Sequence, residues 1–519
     1  MVNRRIEPTM EIVIKIPAFE VRIPYGEINF KRIEEETLNL LKRAGGIAIK
    51  EVIKAVDEEE FQSNRLKGLE SCGKKGNTKY LKTVFGIIQY IRRRYKEQGK
   101  KGGRYLADEK LGLDKKIVTS PGRQKVEIES AVESRSYRKA AREENRWTGE
   151  SRSHESIRQL VIKEGRKIKE QSEAQIKAAE IAAYKGEAGA EKEAINLEKI
   201  VYVEADATYL HRQTMRGKGF EKTNKKESAI EVKIGIVYSG HENRYKGGNG
   251  KQKRLKEKFV YTGIGKGDEF LRNFSILCEI KHAMSYAKMI LFGGDGAEWI
   301  KSGAMSYFVG SIYMLCKYHL NKALKRALGY NKELEKKIRG LLRCGLIDES
   351  VKKIEKIIKA TGAKNSDRIK KLRELRGYIL SNRDGINALE RLKKHLEPSD
   401  RKLIRNTGAI EGNVDKMIAQ RMKGRGMSWS DRGAEGLLQV MCKMNNDEWQ
   451  YWWASDRGRK IEVNEQDYKE LETVTFLRDS TKHQPCIPTV KMPALEGPHH
   501  DKIWAGILRD VSDGSQTVQ

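Results

Sequence analysis

Apolar residues keep two different periods along this chain, and the switch between them divides it. From Lys79 to Tyr95 the pattern alternates, with Val84, Gly86, Ile88 and Tyr90 set against Phe85, Ile87, Gln89 and Ile91. A period of two predicts a β-hairpin or a pair of strands. Before it, Glu11 to Ile23 is strand-like, and Ile28 to Asp57 is helix-like through Ile33, Leu38, Leu40 and Leu41. Residues 124–195 read as helices, ending in a stretch rich in Lys, Glu, Ala and Gln. Strand patterns then return at 199–205, 229–238 and 257–262, with a polar, Gly-rich loop at 240–250. A helix is predicted at 267–286, a strand at 288–292, a short helix near 297–303, a strand at 311–315 and a helix at 318–327. Residues 331–397 are again helical and basic. Helices follow from Thr407 to Lys423 and from Ser430 to Met441, separated by a turn at Gly424 and Gly426.

Proline placement agrees with this division. None lies between Pro121 and Pro398, so nothing breaks the long helical stretches, whereas four fall within 485–498 and predict an irregular tail from about 478. Three consecutive strands followed by alternating helix and strand describe a mixed α/β sheet. The expected parts are a mixed region 1–77, a basic hairpin module 78–123, a helical region with a linker helix 124–196, a sheet core 197–330 joined by 398–445, a helical insertion 331–397, and a C-terminal region 446–519.

Charge changes this picture. The 519 residues include 103 Lys and Arg against 72 Asp and Glu, a formal charge of +31. Such an excess repels itself unless a polyanion is the partner, and nucleic acid is the first candidate. A membrane partner is not expected, since no run approaches the ~18 apolar residues of a span. None of the six cysteines forms a CxxC pair, so a reducing, cytoplasmic setting is expected and a structural zinc site is not.

Three acids stand where a sheet exposes chemistry. The apolar run Ile200-Val201-Tyr202-Val203-Glu204-Ala205 ends in Asp206. The run Leu291-Phe292-Gly293-Gly294 ends in Asp295, and Glu411 opens a later helix. An acid ending the first strand and another following the fourth is the layout of a ribonuclease-H-like mixed-sheet catalytic domain. In-line attack on a phosphodiester builds charge on the attacking and leaving oxygens. Two Mg²⁺ or Mn²⁺ ions ~4 Å apart offset it, held by a few carboxylates. Gly293, Gly294 and Gly296 would let a DNA backbone come close. Asp415, four residues after Glu411, shares its helix face and is an alternative third acid. Each acid taken singly is equally an ordinary turn or capping residue.

Basic residues suit a DNA role in several places. Arg92, Arg93, Arg94 and Arg104 lie among tyrosines at a strand end, Arg138 and Lys139 lead a helix, and Arg152 and Arg158 flank the start of the next. Residues 137–160 have the form of a helix-turn-helix, and Ser153 with Ser156 also fits ordinary N-capping. Lys423, Arg425 and Trp429 follow the third acid. Trp429 either stacks on an unpaired base or anchors the core.

Taken together these residues carry a resemblance. The segments Val84-Phe85-Gly86 with Arg92-Arg93-Arg94-Tyr95, Ser136-Tyr137-Arg138-Lys139-Ala140-Ala141, Val203-Glu204-Ala205-Asp206, Gly294-Asp295-Gly296-Ala297-Glu298-Trp299-Ile300, Gly408-Ala409-Ile410-Glu411-Gly412-Asn413 and Lys423-Gly424-Arg425-Gly426-Met427-Ser428-Trp429 resemble the ISLre-group insertion-sequence transposases of prokaryotes, DDE enzymes akin to the Mutator-like superfamily. The resemblance spans about residues 78–445, and Ala207 departs from the glycine it leads one to expect. It implies catalytic, metal-binding Asp206, Asp295 and Glu411, a helical insertion before the last acid, and two Mg²⁺ or Mn²⁺ ions. Cys316-Lys317-Tyr318-His319 is similar to the Cys/Asp-x-x-His signature of Mutator-like enzymes and adds His319 to the catalytic set. Implied partners are double-stranded DNA, as element ends and target, and a second copy of the chain, in a nucleoid-associated cytoplasmic setting. The N-terminal third would bind terminal inverted repeats. Other readings of the same residues are a structure-selective nuclease of ribonuclease-H type and an inactive, transposase-derived DNA-binding protein.

Overall fold

The computed structural model describes Ile23 and residues 29–456, apart from 66–69, 76, 97–101, 114–117, 149–151, 186–198, 214–228, 245–252, 362–365 and 425. The strand-like start at Glu11, the turn of the helix-turn-helix at 149–151, the loop 245–250 and the tail beyond 456 lie outside the described residues. The chain divides into two units, Met1–Val161 and Ile162–Gln519.

In the first unit a long helix, Phe30–Arg65, packs on an antiparallel hairpin made of β1 (Thr78–Thr83) and β2 (Gly86–Ile91). The alternation buries Leu81, Ile88 and Tyr90 against Ile53 and Leu113 and leaves Tyr80, Ile87 and Ile91 exposed. A charge sits inside this small core. The buried Asp108 carboxylate takes Lys79 at 3.0 Å and the Tyr90 hydroxyl at 2.8 Å, and pairs with Arg92 as well. Two further helices, Pro121–Glu133 and Tyr137–Thr148, are set by the Ser120 cap and by the buried Arg123–Glu127 pair. Helix His154–Tyr184 begins where the Ser153 hydroxyl accepts the Ser156 N–H at 3.0 Å, so the N-capping reading of these serines holds.

The second unit is built on a five-stranded mixed sheet. Its strands are β3 (Ile200–His211), β4 (Ala229–Tyr238), β5 (Phe259–Ile264), β6 (Met289–Gly294) and β7 (Ile312–Leu315), in the spatial order β7-β6-β3-β4-β5. The first three run antiparallel in sequence, while β6 lies parallel to β3 and β7 parallel to β6. The unit is therefore mixed α/β, with the expected strands in the expected order. On β3 the pleat sends Val201, Val203 and Ala205 into a core with Phe274, Phe292, Ile300 and Phe308, under helices Gly267–His282 and Glu298–Tyr307. Each of the larger of these side chains, fully buried, contributes on the order of 1.5–3 kcal/mol.

The opposite side of β5 carries helix Asp431–Asn445, fixed where Asn446 exchanges two hydrogen bonds with the Val260 backbone. That helix meets helix His154–Tyr184 at a close crossing around Gly165, in the first half of the latter. A Cβ on Gly165 would lie 2.0 Å from the Gly436 carbonyl oxygen, so only glycine fits there. The segment after β7 forms helices Lys332–Arg343, Ile347–Ala360 and Ser366–Ser381 around Ile338, Leu342, Ile354, Leu372 and Ile379. It docks on the sheet edge, where the Leu315 N–H donates to the Gly385 carbonyl at 3.0 Å. Among the described residues no helix is long and apolar enough to cross a membrane.

Candidate functional site

Three parallel strands build the site, but only Asp295 and Cys316 follow strand ends: Asp206, expected to end its strand, lies inside β3, which runs on to His211. The register pairs Gly293 with Glu204 and Gly294 with Leu315, which brings Asp206, Asp295 and Cys316 abreast at one edge of the sheet. Cys316 is fixed there by its N–H, which donates to the Gly294 carbonyl at 2.8 Å. One turn into the helix Lys317–Leu328 stands His319. A carboxylate oxygen from Asp206, one from Asp295 and a ring nitrogen of His319 all lie within 4.8 Å of one another. So do ligand atoms of Cys316, His319 and Glu411, so one imidazole belongs to both groups.

Glu411 arrives from some 200 residues downstream, and β3 itself draws it in. Alternate residues of β3 face away from the core and dock the returning chain. The Tyr202 hydroxyl donates to the Leu403 carbonyl at 3.2 Å and accepts the Arg405 N–H at 3.0 Å. Two residues on, the buried Glu204 carboxylate accepts the N–H groups of Gly408, Ala409 and Ile410 at 2.8–3.1 Å, and the Tyr238 hydroxyl at 2.7 Å. These are the orphan donors at the start of helix Ile410–Asn413, the helix that bears Glu411. Farther along the same face Thr208 accepts from the Lys423 ammonium. Then the Trp429 N–H donates to the His211 carbonyl at 2.8 Å.

The electrostatics follow from burial and contact. Burial raises the Asp206 carboxyl to about 6, against the Ala207 N–H and His319, with Asp295 and Glu411 adding to the rise. Burial alone would also raise Glu411, but the hydrogen bonds from His319 and Cys316 outweigh it and hold the carboxyl below its usual range. His319 is raised, first by its bond to Glu411, 3.1 Å from Nδ1 to Oε1. The Cys316 thiol, pushed up to about 12 by burial and by Glu411, donates to that same oxygen at 2.8 Å. Glu204 is raised by burial, against the donors that surround it.

The glycines beside Asp295 do not have the expected purpose. A Cβ on Gly293 would meet Thr407 at 2.6 Å, one on Gly294 would meet Ile300 at 2.5 Å, and Gly296, at φ +93°, backs onto Asn382 at 2.5 Å. They let protein approach protein. The Tyr378 hydroxyl, from the helical insertion, donates to the Asp295 carbonyl at 2.6 Å for the same reason. Nor does Asp415 share the face of Glu411. Val414–Ala419 winds as a π-helix, wider than an α-helix, and Asp415 is exposed and bound to Gln420.

The other predicted residues are placed as follows. Trp429 is buried and donates its indole N–H to the Met422 carbonyl at 2.8 Å, so it is the core anchor and its ring is not open for stacking on a base. Lys423 is exposed, beside Thr208, and Arg425 lies outside the described residues. In the first unit most of the candidate arginines are already ion-paired. Arg92 pairs with Asp108, Arg93 with Asp57 and Glu58, Arg104 with Glu109, Arg152 with Glu127 and Arg158 with Glu155. Arg94 is half-buried, Arg138 is exposed, and Lys139 is exposed 3.6 Å from Glu143. Sequence reasoning missed Glu204, Tyr238 and Tyr378. The signal for Glu204 was present, as an acid inside an otherwise apolar strand.

The family described as "Uncharacterised protein family (UPF0236)" matches residues 25–452. A UPF0236 protein of Caldanaerobacter subterraneus subsp. tengcongensis is 26% identical over 449 residues, covering 86% of this chain and 84% of its own length, and its name joins eleven locus designations. The "UPF0236 protein in vanSb 3'region" of Streptococcus gallolyticus is 20% identical over 476 residues, 90% of this chain and 93% of its own. Among solved structures, the Drosophila P element transposase strand transfer complex aligns with 79% of this chain and 95% of its own length, at 8% identity and a TM-score of 0.24, too slight a likeness to argue from.

Proposed function

The chain belongs to the UPF0236 family, whose description assigns no activity, and we propose from its site that it is a DDE-type DNA transposase of an insertion sequence. The observation that carries this reading is the convergence of Asp206, Asp295 and His319 within 4.8 Å, with Glu411 joined through the same histidine. Strands that order as β7-β6-β3-β4-β5 and present these acids at one edge support a ribonuclease-H-like core, 197–330 with 398–445, interrupted by the insertion 331–397. A relative whose name joins eleven loci adds support, since a mobile element leaves repeated copies of its own gene. The +31 charge supports DNA as the partner.

The residues fit a pair of hard divalent cations, Mg²⁺ or Mn²⁺. Asp206 and Asp295 face one another, and among the described residues neither is ion-paired to Lys or Arg. The second oxygen of Glu411 is buried without a hydrogen-bond partner. Asp206, Asp295 and Glu411 would hold the ions, which supply an activated water and neutralise the attacking and leaving oxygens of a phosphodiester. The chain's own share is to fix these ligands. β3 and β6 hold the two aspartates rigidly, the Ala207 N–H orients the Asp206 carboxylate, and the Ala297 N–H orients that of Asp295, each at 2.8 Å. His319 steadies Glu411, and Lys423 brings a cation near Asp206 for the phosphate. The first unit, on this reading, binds the terminal inverted repeats, and two copies of the chain pair the two ends.

Purified protein incubated with duplexes from the DNA flanking its gene, in Mg²⁺ or Mn²⁺, should expose 3′-hydroxyls at the element ends and join them to target DNA. Asp206→Asn, Asp295→Asn and Glu411→Gln should each abolish both products. Cleavage that survives any of the three overturns the assignment, and cleavage without joining identifies a nuclease instead.

A further inference from the structure

We propose that Cys316, His319 and Glu411 form a binding site for one thiophilic divalent cation, Zn²⁺ in the first place, distinct from the carboxylate pair Asp206–Asp295 and competing with it for His319 and Glu411. The site stands on its own geometry and goes beyond the transposase reading. Three potential ligand atoms of different chemistry, a sulfur, a nitrogen and an oxygen, lie within 4.8 Å of one another. Cys316 Sγ is 2.8 Å and His319 Nδ1 is 3.1 Å from the same oxygen, Oε1 of Glu411. Zinc bonds of about 2.0–2.3 Å in a tetrahedron set ligand atoms some 3.3–3.8 Å apart, so a small outward shift of side chains admits the ion. The backbone is already built for it. Cys316 is locked to Gly294 by its N–H, and His319 follows one helical turn later on the same helix start.

Donor chemistry separates the two halves of the site. Asp206 and Asp295 offer hard oxygens, which suit Mg²⁺. Cys316, His319 and Glu411 offer the sulfur, imidazole and carboxylate that zinc accepts together, and an N/S site favours Zn²⁺ over Mn²⁺. With three protein ligands the fourth tetrahedral position stays open. Binding releases the Cys316 thiol proton to solvent, and the resulting thiolate and the Glu411 carboxylate balance the two positive charges of the ion. The absence of a CxxC pair speaks against a closed four-cysteine site and leaves this open one untouched. Occupancy would take Glu411 and His319 away from the aspartates, so free zinc would act on the acid site as a switch.

The test uses the full metal-free chain without DNA, so its outcome is independent of any cleavage assay. Cd²⁺ titration should raise a thiolate-to-metal charge-transfer band that saturates at one equivalent. Cys316→Ser should abolish the band, whereas Cys278→Ser, buried in the core away from the site, should keep it. Competition with a chromophoric chelator should show Zn²⁺ bound at one equivalent in the presence of a large excess of Mg²⁺. Glu411→Gln should weaken Zn²⁺ by about 10–100-fold or more, and Asp206→Asn by less than about 10-fold. Far-ultraviolet circular dichroism of each variant checks that it is folded. No band in the wild type, a band that survives Cys316→Ser, or Zn²⁺ displaced by Mg²⁺ would each overturn the proposal.

Discussion

Burial raises the Asp206 carboxyl from 3.8 to about 6, and a shift of that size has a measurable cost. Below pH about 3 the group is protonated whether the chain is folded or not, and it costs nothing. Between pH about 4 and 6 the unfolded chain gives up this proton while the folded chain keeps it, so stability falls across that window and about 3 kcal/mol is lost once the pH is above about 6. Removing the charge should therefore stabilise the metal-free protein even as it abolishes the proposed activity. In chelator at pH 8, Asp206→Asn should raise the free energy of urea unfolding by about 1–3 kcal/mol, and at pH about 3 the two proteins should unfold together. A variant less stable than wild type at pH 8 would mean that the carboxylate is satisfied by contacts other than those described. The same group is a good ligand for the same reason, because an ion that relieves its confinement is bound more tightly.

At the scale of elements, β3 does two jobs on its two faces. Its odd-numbered residues Val201, Val203 and Ala205 make the core, and on the other face Tyr202, Glu204 and Thr208 receive the chain from Leu403 to Lys423 around Asp206. A short apolar run closed by an acid made the strand legible in the sequence, although the strand runs on to His211 and holds Asp206 buried within it rather than at its end. The clamp at Glu204 was not legible, since its partners Gly408 to Ile410 are some 200 residues away and nothing local marks them. For the same reason the glycines around Asp295 were read as room for DNA, when Thr407, Ile300 and Asn382 fill that room. Glu204 accepts from four donors, so an amide that places two hydrogens among them is a poor substitute. Glu204→Gln should cost about 2–5 kcal/mol on unfolding, through buried donors left unmet. Tyr238→Phe, which removes one donor and leaves the carboxylate otherwise intact, should cost only about 1 kcal/mol. Equal effects would show that the helix start at Ile410 is held by something other than the carboxylate.

At the scale of the whole molecule, the excess of 103 basic over 72 acidic residues has to be weighed against how many of those bases are free. The arginines that looked most like phosphate contacts from the sequence, Arg92 and Arg93, are spent on Asp108, Asp57 and Glu58 inside the first unit. Spacing along a strand cannot show this, because the acids that consume them come from two helices elsewhere in the chain, Phe30–Arg65 and Leu106–Lys110. Exposed residues such as Arg138, Lys139 and Lys423 are better placed to meet a polyanion. If neutralised phosphates supply the affinity, the logarithm of the binding constant for duplex DNA falls linearly with the logarithm of salt, at about 0.9 per phosphate contacted. A chain of this charge engaging six to ten phosphates should lose about 10³–10⁵ in affinity between 50 and 200 mM salt. Arg138→Ala and Lys423→Ala should each reduce that slope by about one, whereas Arg92→Ala should leave the slope unchanged and destabilise the first unit by leaving the buried Asp108 carboxylate with Lys79 as its one cationic partner among the described residues. Fluorescence anisotropy across a salt series measures all three. An affinity flat in salt would overturn phosphate neutralisation as its source, and a slope that drops only with Arg92→Ala would place the DNA surface on the buried arginine cluster rather than on the exposed bases.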